Sequence, residues 1–132
     1  KRPVNYSGEW RIASDARKKF RHHQNIGFTN SPDNANFRYN AGITPRMRFS
    51  NRFSVTLDIQ FEKDLNNYGW VGTQYESLDL PTIYFGRRDI TTVSNVISAR
   101  YIFSTKASLT LRARHYWSQA SYLSFSTLNR DG

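Results

Sequence analysis

Residues 92–118 read TVSNVISARYIFSTKASLTLRARHYWS and have the most regular alternation over two consecutive segments of the chain. Most odd positions carry apolar or aromatic side chains on both sides of a short polar turn, Ser104–Lys106. Side chains of a β-strand alternate between two faces, so this period of two predicts two strands joined as a hairpin. Each strand covers about 11 residues, whereas soluble strands cluster near 5–6 and a strand that crosses a bilayer needs about 9–11. The length therefore favours a hairpin that crosses a membrane.

The same alternation continues towards the N-terminus. Phe53–Glu62 has the cleanest pattern, with apolar odd positions against polar even ones. Weaker alternation predicts three further strands, at Pro3–Ile12, Lys18–Phe28 and Asn36–Thr44. Turn-forming residues separate these strands, at Ser14–Asp15 and at Thr29–Asn34. The sequence thus predicts an antiparallel meander of strands.

Two features are expected to interrupt the meander. Pro45 should end the third strand, because proline has no N–H to donate to a ladder. From Lys63 to Thr91 the alternation weakens among Asn and Gly residues, which predicts strand ends around one long loop. Arg87, Arg88 and Asp89 would lie in or near that loop, where they are candidates for contact with a ligand or a partner.

The composition excludes several classes of protein. The chain has 132 residues, a net charge of +9 and no Cys, so it has neither a disulfide framework nor a thiolate metal site. It contains no apolar run of about 18 residues, so no membrane helix is expected. Its basic residues are scattered apart from one run at Arg17–His23, and solvated strand faces explain most of them. The first residues, Lys1–Val4, suggest a piece of a longer protein or a processed product.

Alternation alone does not tell which face is wet, because the apolar face points inwards in a soluble barrel and outwards in a membrane barrel. Long strands, aromatic residues near strand ends and a polar face of mixed charge favour the membrane barrel. The residues predicted to face the lumen are Arg38, Asp58, Glu62, Arg100, Arg112 and Arg114. The residues predicted to face lipid or to form an aromatic girdle are Phe53, Leu57, Phe61, Tyr101, Phe103, Leu109, Leu111 and Trp117. A soluble sheet with a solvated charged face is the alternative.

Candidate chemistry is sparse. The sequence has no Gly-rich phosphate loop, nucleophile elbow or zinc-helix motif. Asp58 and Glu62 share a face but lie roughly 13 Å apart at about 3.3 Å per residue, beyond the roughly 5–9.5 Å of glycosidase carboxylates. Asp64, Asn66 and Asn67 offer oxygen ligands for calcium but lack the rest of an EF-hand pattern. We expect no catalytic residue, no cofactor and no metal site, and therefore not an enzyme.

Three strings carry a resemblance to a bacterial family. They are SDARKKF at 14–20 followed by IGF at 26–28, FGRRD at 85–89 followed by TVSN at 92–95, and SLTLRARHYW at 108–117. They resemble a domain of unknown function from Gram-negative bacteria, over roughly residues 10 to 126. Its members look like a carbohydrate-binding-module family-nine-like domain followed by a large outer-membrane β-barrel. The resemblance places this chain in the C-terminal part of the barrel and carries over no catalytic residue.

The fold expected is therefore all-β, an antiparallel transmembrane β-barrel meander over residues 1–132, and an incomplete segment of a larger barrel. Its location would be the bacterial outer membrane, in contact with the bilayer and lipopolysaccharide. The role expected is non-catalytic: structural, or in surface glycan binding or uptake, the glycan link coming from the resemblance. One alternative is a subunit or client of a larger outer-membrane complex. Another is a soluble β-barrel that binds a small ligand or single-stranded nucleic acid. For the membrane barrel, which we favour, we expect no nucleic-acid partner.

Overall fold

The computed structural model describes residues 4–74 and 82–127. Six β-strands form one antiparallel sheet in which every strand pairs with its neighbour in sequence, in the order β1-β2-β3-β4-β5-β6. The bounds of the strands are β1 Tyr6–Ala13, β2 Phe20–Ser31, β3 Asn36–Arg48, β4 Phe53–Gln74, β5 Thr82–Ser104 and β6 Ala107–Thr127. The predicted all-β meander is confirmed at this level. Within the described residues, β1 and β6 are the two edges of the sheet and do not pair with each other.

The hairpin at residues 92–118 is confirmed. β5 and β6 pair continuously through this stretch, with Val93 opposite Trp117 and Tyr101 opposite Leu109. The turn between the strands is short, and the backbone N–H of Lys106 donates to Ser104 Oγ at 3.2 Å. The strand over Phe53–Glu62 also forms, as the first half of β4.

The long loop expected over Lys63–Thr91 is wrong for the described residues, because β4 continues to Gln74 and β5 begins at Thr82. A bulge explains why the alternation was lost: the β4–β5 register shifts by one residue between Asp64 and Asn67. Asn66 has a φ of 57° there, a left-handed conformation that asparagine tolerates better than most residues. Apolar side chains stand at odd positions before the bulge and at even positions, such as Trp70, after it.

Pro45 does not end a strand, since β3 continues to Arg48. Pro45 pairs with His22 on the β2 side. On the β4 side, the described pairs pass from Ile43–Ile59 to Arg46–Thr56 in unchanged register and skip the proline. The strand thus continues past the proline, with a gap of two residues, Thr44 and Pro45, in its pairing with β4.

The connections at both ends of the sheet are short. β1 and β2 are joined through residues 14–19, and β3 and β4 through residues 49–52. Between β2 and β3 the predicted turn begins after Ser31, as a 3₁₀ turn at Pro32–Asn34 that ends with Ala35 at a φ of 51°. Among the described residues, no helix is long and apolar enough to cross a membrane.

The sheet has no conventional core. No apolar side chain in residues 4–74 and 82–127 is buried, whereas Asp64 is 3% exposed and Ser31 8%. Large apolar side chains are open instead, including Trp10 at 73% and Leu111 at 70% exposure. The usual arrangement, in which apolar side chains form a buried core, is therefore missing from the described residues.

Candidate functional site

The two faces of the sheet are the main functional feature of the molecule. The register places all six residues predicted to face a lumen on one side, which we call the polar face. Arg38 is opposite Asp64 and Ser98 is opposite Arg112, so polar partners meet across strands. The eight residues predicted to face lipid fall on the other side, which we call the apolar face; cross-strand pairs there include Leu57–Ile97 and Ala99–Leu111.

Aromatic rings form a row across the apolar face near the β3–β4 and β5–β6 turns. Phe49 stacks on Phe53 with ring centroids 5.3 Å apart. Phe53 lies 6.3 Å from Tyr101, which contacts Phe103 edge-on at 4.8 Å. We call these four residues the turn-end belt. Such chains of offset and edge-on contacts are the arrangement that aromatic quadrupoles favour.

A second row of rings crosses the same face further along the strands. Phe28, Phe37, Tyr39 and Phe61 are linked by centroid distances of 6.5, 6.0 and 6.1 Å. We call them the far belt. Phe53 and Phe61 begin and end the interval on β4, so the belts are about 26 Å apart along the strand at roughly 3.3 Å per residue. The β4 residues between them on this face are Val55, Leu57 and Ile59.

A buried carboxylate organises the polar face beyond the far belt. Asp64 Oδ1 accepts a hydrogen bond from Asn36 Nδ2 at 2.6 Å. Asp64 Oδ2 accepts from Arg38 Nη2 at 2.8 Å and from Asn67 Nδ2 at 2.9 Å. We call these four residues the Asp64 cluster. The carboxylate is thus fully used by donors from two strands, and its charge is matched by a guanidinium.

The Asp64 cluster argues against the calcium alternative at Asp64, Asn66 and Asn67. The carboxylate oxygens that would bind the ion already accept N–H groups. Asn66 points elsewhere: its Nδ2 donates to Ala35 O at 2.9 Å, and its Oδ1 accepts from Arg87 Nε at 2.8 Å. No group of three His, Asp or Glu side chains in the described ranges could hold a metal ion.

The three loop candidates, Arg87, Arg88 and Asp89, are in β5 rather than in a loop, which corrects their predicted placement. Asp89 Oδ1 accepts the backbone N–H of Asn66 at 2.9 Å and so closes the bulge. Arg88 lies across the sheet, with Nη1 donating to the Tyr122 hydroxyl at 3.2 Å and its guanidinium carbon 5.8 Å from the centre of that ring. All three therefore have structural partners within the sheet.

Glycines make room for this arrangement. Gly69 and Gly86 face each other across β4 and β5. A Cβ built on Gly69 would stand 2.6 Å from Arg88 Nη2, and one on Gly86 would stand 2.7 Å from the Tyr122 ring. The guanidinium of Arg88 thus lies close over the backbone of Gly69, and the ring of Tyr122 close over that of Gly86, where any other residue would place a Cβ. The sequence offered these glycines as turn signals, and only the register reveals their packing role.

The fold defines a class: an all-β meander sheet with one apolar and one polar face, in which a carboxylate is buried and, among the described residues, no apolar side chain is. Comparison with family models identifies the family of this chain. The chain belongs to the family described as "Domain of unknown function (DUF5916)", whose model matches residues 1–132. The resemblance to a family of unknown function is therefore confirmed, while its link to a barrel and to a sugar-binding-like domain stays a prediction. No curated protein and no solved structure matches this chain.

Proposed function

We propose that this sheet is a wall of a β-barrel that spans the bacterial outer membrane. Its apolar face contacts the bilayer and lipopolysaccharide, and its polar face lines the barrel interior. The observation that carries the proposal is the pattern of burial: large apolar side chains are exposed or half-buried over a whole face, while the carboxylate of Asp64 is buried. A soluble sheet covers its apolar face with a second layer of protein, whereas lipid takes that place in a membrane barrel.

The two aromatic belts support the same orientation. Outer-membrane barrels carry an apolar band about 25 Å tall between girdles of aromatic residues at the two interfaces. The turn-end belt and the far belt are separated by about 26 Å along β4, which a strand tilt of about 35–45° reduces to about 19–22 Å in height, close to that of the band. Val55, Leu57 and Ile59 fill the interval. The belts therefore fit the two interfaces of one membrane.

The edges of the sheet imply further strands. In hydrocarbon, each backbone group without a hydrogen-bond partner costs several kcal/mol, so a spanning sheet has to close. β1 and β6 are unpaired on their outer sides among the described residues, and β6 alone is 21 residues long. Additional strands from a longer chain would complete a larger barrel. Strands from another protein would make this chain a subunit or client of an outer-membrane complex.

The strands also extend beyond the membrane. β4, β5 and β6 have 22, 23 and 21 residues, whereas about 9–11 residues cross a bilayer. The extension carries open rings, with Tyr68 at 55%, Trp70 at 62% and Phe125 at 61% exposure. Flat rings beside polar groups suit the faces of sugars, which supports a non-catalytic role in surface glycan binding or uptake. The choice of glycans rests on the family resemblance, and a purely structural role is the simpler form of the proposal.

A pair of substitutions tests the membrane orientation. Ile97 is on the apolar face midway between the belts, opposite Leu57 and Ala113. Ser94 is three residues away on the polar face, where its opposite residues, Gln60 and Tyr116, are uncharged. Arg on the lipid face near the midplane costs about 2–4 kcal/mol, whereas substitutions on the lumen face are tolerated. We expect Ile97→Arg to deplete the folded membrane form and Ser94→Arg to leave it intact.

The measurement is gel migration of the intact, tagged protein extracted from membranes with detergent, compared without and with boiling. A heat-dependent shift reports a closed barrel. Because Ile97 is 49% exposed, Arg would be harmless there if the face contacted water. Equal folded fractions for both variants, with the protein recovered without detergent, would contradict the proposal. That result would favour the soluble barrel that binds a small ligand or single-stranded nucleic acid.

A further inference from the structure

The polar face carries a basic pocket at the connection between β1 and β2. The pocket has a volume of about 90 Å³, enough for several water molecules. Five of its six lining residues are basic: Ala16, Lys18, Lys19, Arg21, Arg46 and Arg48. The basic run at residues 17–23, which the membrane role does not use, thus supplies three of the five basic residues of a defined site, and β3 supplies the other two.

The backbone around the pocket is fixed. Arg48 N donates to Lys19 O at 2.8 Å, which ties the end of β3 to the start of β2. Ser14 and His22 bond twice, from Ser14 N to His22 O at 2.9 Å and from His22 N to Ser14 Oγ at 2.8 Å. The basic side chains therefore project from an ordered connection, so binding a ligand would have to order these side chains but not the backbone that carries them.

Two arginines in the pocket oppose each other. Arg21 and Arg46 are directly opposite in the β2–β3 register, and both are half-buried. Like charges in that position are destabilising. Within residues 4–74 and 82–127, neither has a carboxylate within 4.0 Å. The nearby Asp15 is instead paired with Arg17, at 3.4 Å.

Elsewhere on the polar face, an arginine does have carboxylate partners. At the other end of β3, Arg38 is held by Asp64 at 2.8 Å and lies 4.0 Å from Glu62. Around the pocket, by contrast, the rows of the sheet contain arginines and hydroxyls. Arg46 is followed across the strands by Thr56, Ser98 and Arg112, and Arg48 by Ser54 and Arg100. Positive charge is thus compensated within the sheet at one end and left for an external anion at the other.

We propose that this pocket binds the phosphate group of a small phosphorylated solute. Guanidinium groups form paired, charge-assisted hydrogen bonds with phosphate oxygens, and lysines add point charges. A bound dianion would also remove the repulsion between Arg21 and Arg46. A phosphate on a lipid headgroup has the same chemistry, but the pocket is on the face opposite the apolar one, which favours a solute. This proposal does not depend on whether the apolar face contacts lipid.

The test is calorimetric titration of the intact protein, in a neutral detergent, with inorganic phosphate and separately with a short-chain anionic phospholipid. Potassium chloride at matched ionic strength corrects for screening. The variant is Arg21→Gln with Arg46→Gln. The matched control is Arg11→Gln with Arg114→Gln, which removes the same charge from two arginines that do not line the pocket, one paired with Glu9 and the other over the ring of Tyr116.

We expect the pocket variant to lose about tenfold or more in phosphate affinity, because each lost charge-assisted pair is worth about that factor or more. Its thermal stability without ligand should be equal or higher, since two opposed charges are gone, and this separates lost binding from misfolding. The conservative Arg46→Lys should bind phosphate at an intermediate level. Equal losses in the control variant, binding of the phospholipid but not of phosphate, or no binding of phosphate by the parent protein would each overturn the proposal.

Discussion

Arg38 and Asp64 form an ion pair directly across the β3–β4 ladder, with Nη2 to Oδ2 at 2.8 Å. The side chain of Asp64 is only 5% exposed, while that of Arg38 is 49% exposed. The carboxylate is therefore the buried partner, and its remaining lone pairs are taken by Asn36 and Asn67. A charge so deeply placed is tolerated because every oxygen has a donor. The pair stands at the start of the bulge that redirects β4 beyond the far belt.

The first prediction concerns this carboxylate. Asp64→Ala should lower the free energy of unfolding by about 1–3 kcal/mol. The substitution leaves the side-chain amides of Asn36 and Asn67 without their acceptor, and Glu62 becomes the one carboxylate near Arg38. The upper end of that range is reduced because Arg38 is half-exposed. The measurement is denaturant unfolding of the intact protein in lipid vesicles, followed by tryptophan fluorescence.

Asp58→Ala is the control for that experiment. Asp58 is on the same face of the same strand, but the described structure gives it one side-chain donor, Gln60 Nε2 at 2.8 Å. It should cost less than about 1 kcal/mol. Equal losses for Asp58→Ala and Asp64→Ala would show that the cluster contributes no more than an ordinary surface carboxylate.

The second prediction concerns the bare backbone beneath Tyr122. A Cβ on Gly86 would meet the Tyr122 ring at 2.7 Å and Val71 Cγ2 at 2.8 Å, so Gly86→Ala forces the ring and with it Arg88 to move. Overpacking of this kind costs about 1–3 kcal/mol. A Cβ on Gly72 would meet nothing within 4 Å, so Gly72→Ala should be neutral or slightly stabilising. Thermal unfolding of the two variants checks the contrast, and a destabilised Gly72→Ala variant with an unchanged Gly86→Ala would refute it.

The alternation of apolar and polar residues was sufficient to predict most strands and to sort their residues onto two faces. This is because successive side chains of an extended strand point to opposite sides whichever strand it pairs with. It failed where the chain departs from that period. The bulge at Asn66 inverts the parity, so Tyr68 and Trp70 share a face with Phe61 despite their even numbers. Gly69 and Gly86 read as turns because nothing in the sequence shows that they lie under Arg88 and Tyr122.

The Asp64 cluster was missed for a different reason. Asn36 and Arg38 are 28 and 26 residues from Asp64 in sequence, so only the strand register brings them to the carboxylate. The basic pocket was missed in the same way, because Arg46 and Arg48 belong to β3 whereas the basic run precedes and begins β2. Local patterns give the faces of a sheet, and long-range pairing decides which side chains on a face meet.

A pair of polar residues lies on the apolar face where β5 meets β6. Asn95 and His115 are directly opposite each other between Ile59 on β4 and the outer edge of β6. Asn95 Nδ2 and His115 Nδ1 are 3.4 Å apart, within reach of one hydrogen bond. If this face contacts lipid, the pair lies between the aromatic belts, where polar groups lose their hydration. Each partner then depends on the other.

The third prediction follows from that dependence. Asn95→Leu together with His115→Leu should raise the free energy of unfolding in lipid vesicles by about 1–3 kcal/mol, since no polar group remains to be desolvated. Either single substitution should gain less, because it leaves one unpaired polar group. The control is Ser94→Leu with Tyr116→Leu, the neighbouring opposed pair on the polar face, which should give no gain. The prediction would be contradicted if the Asn95→Leu/His115→Leu variant were less stable than the parent protein. If, in addition, the variant aggregated without lipid while the parent protein stayed in solution, water rather than lipid would cover this face.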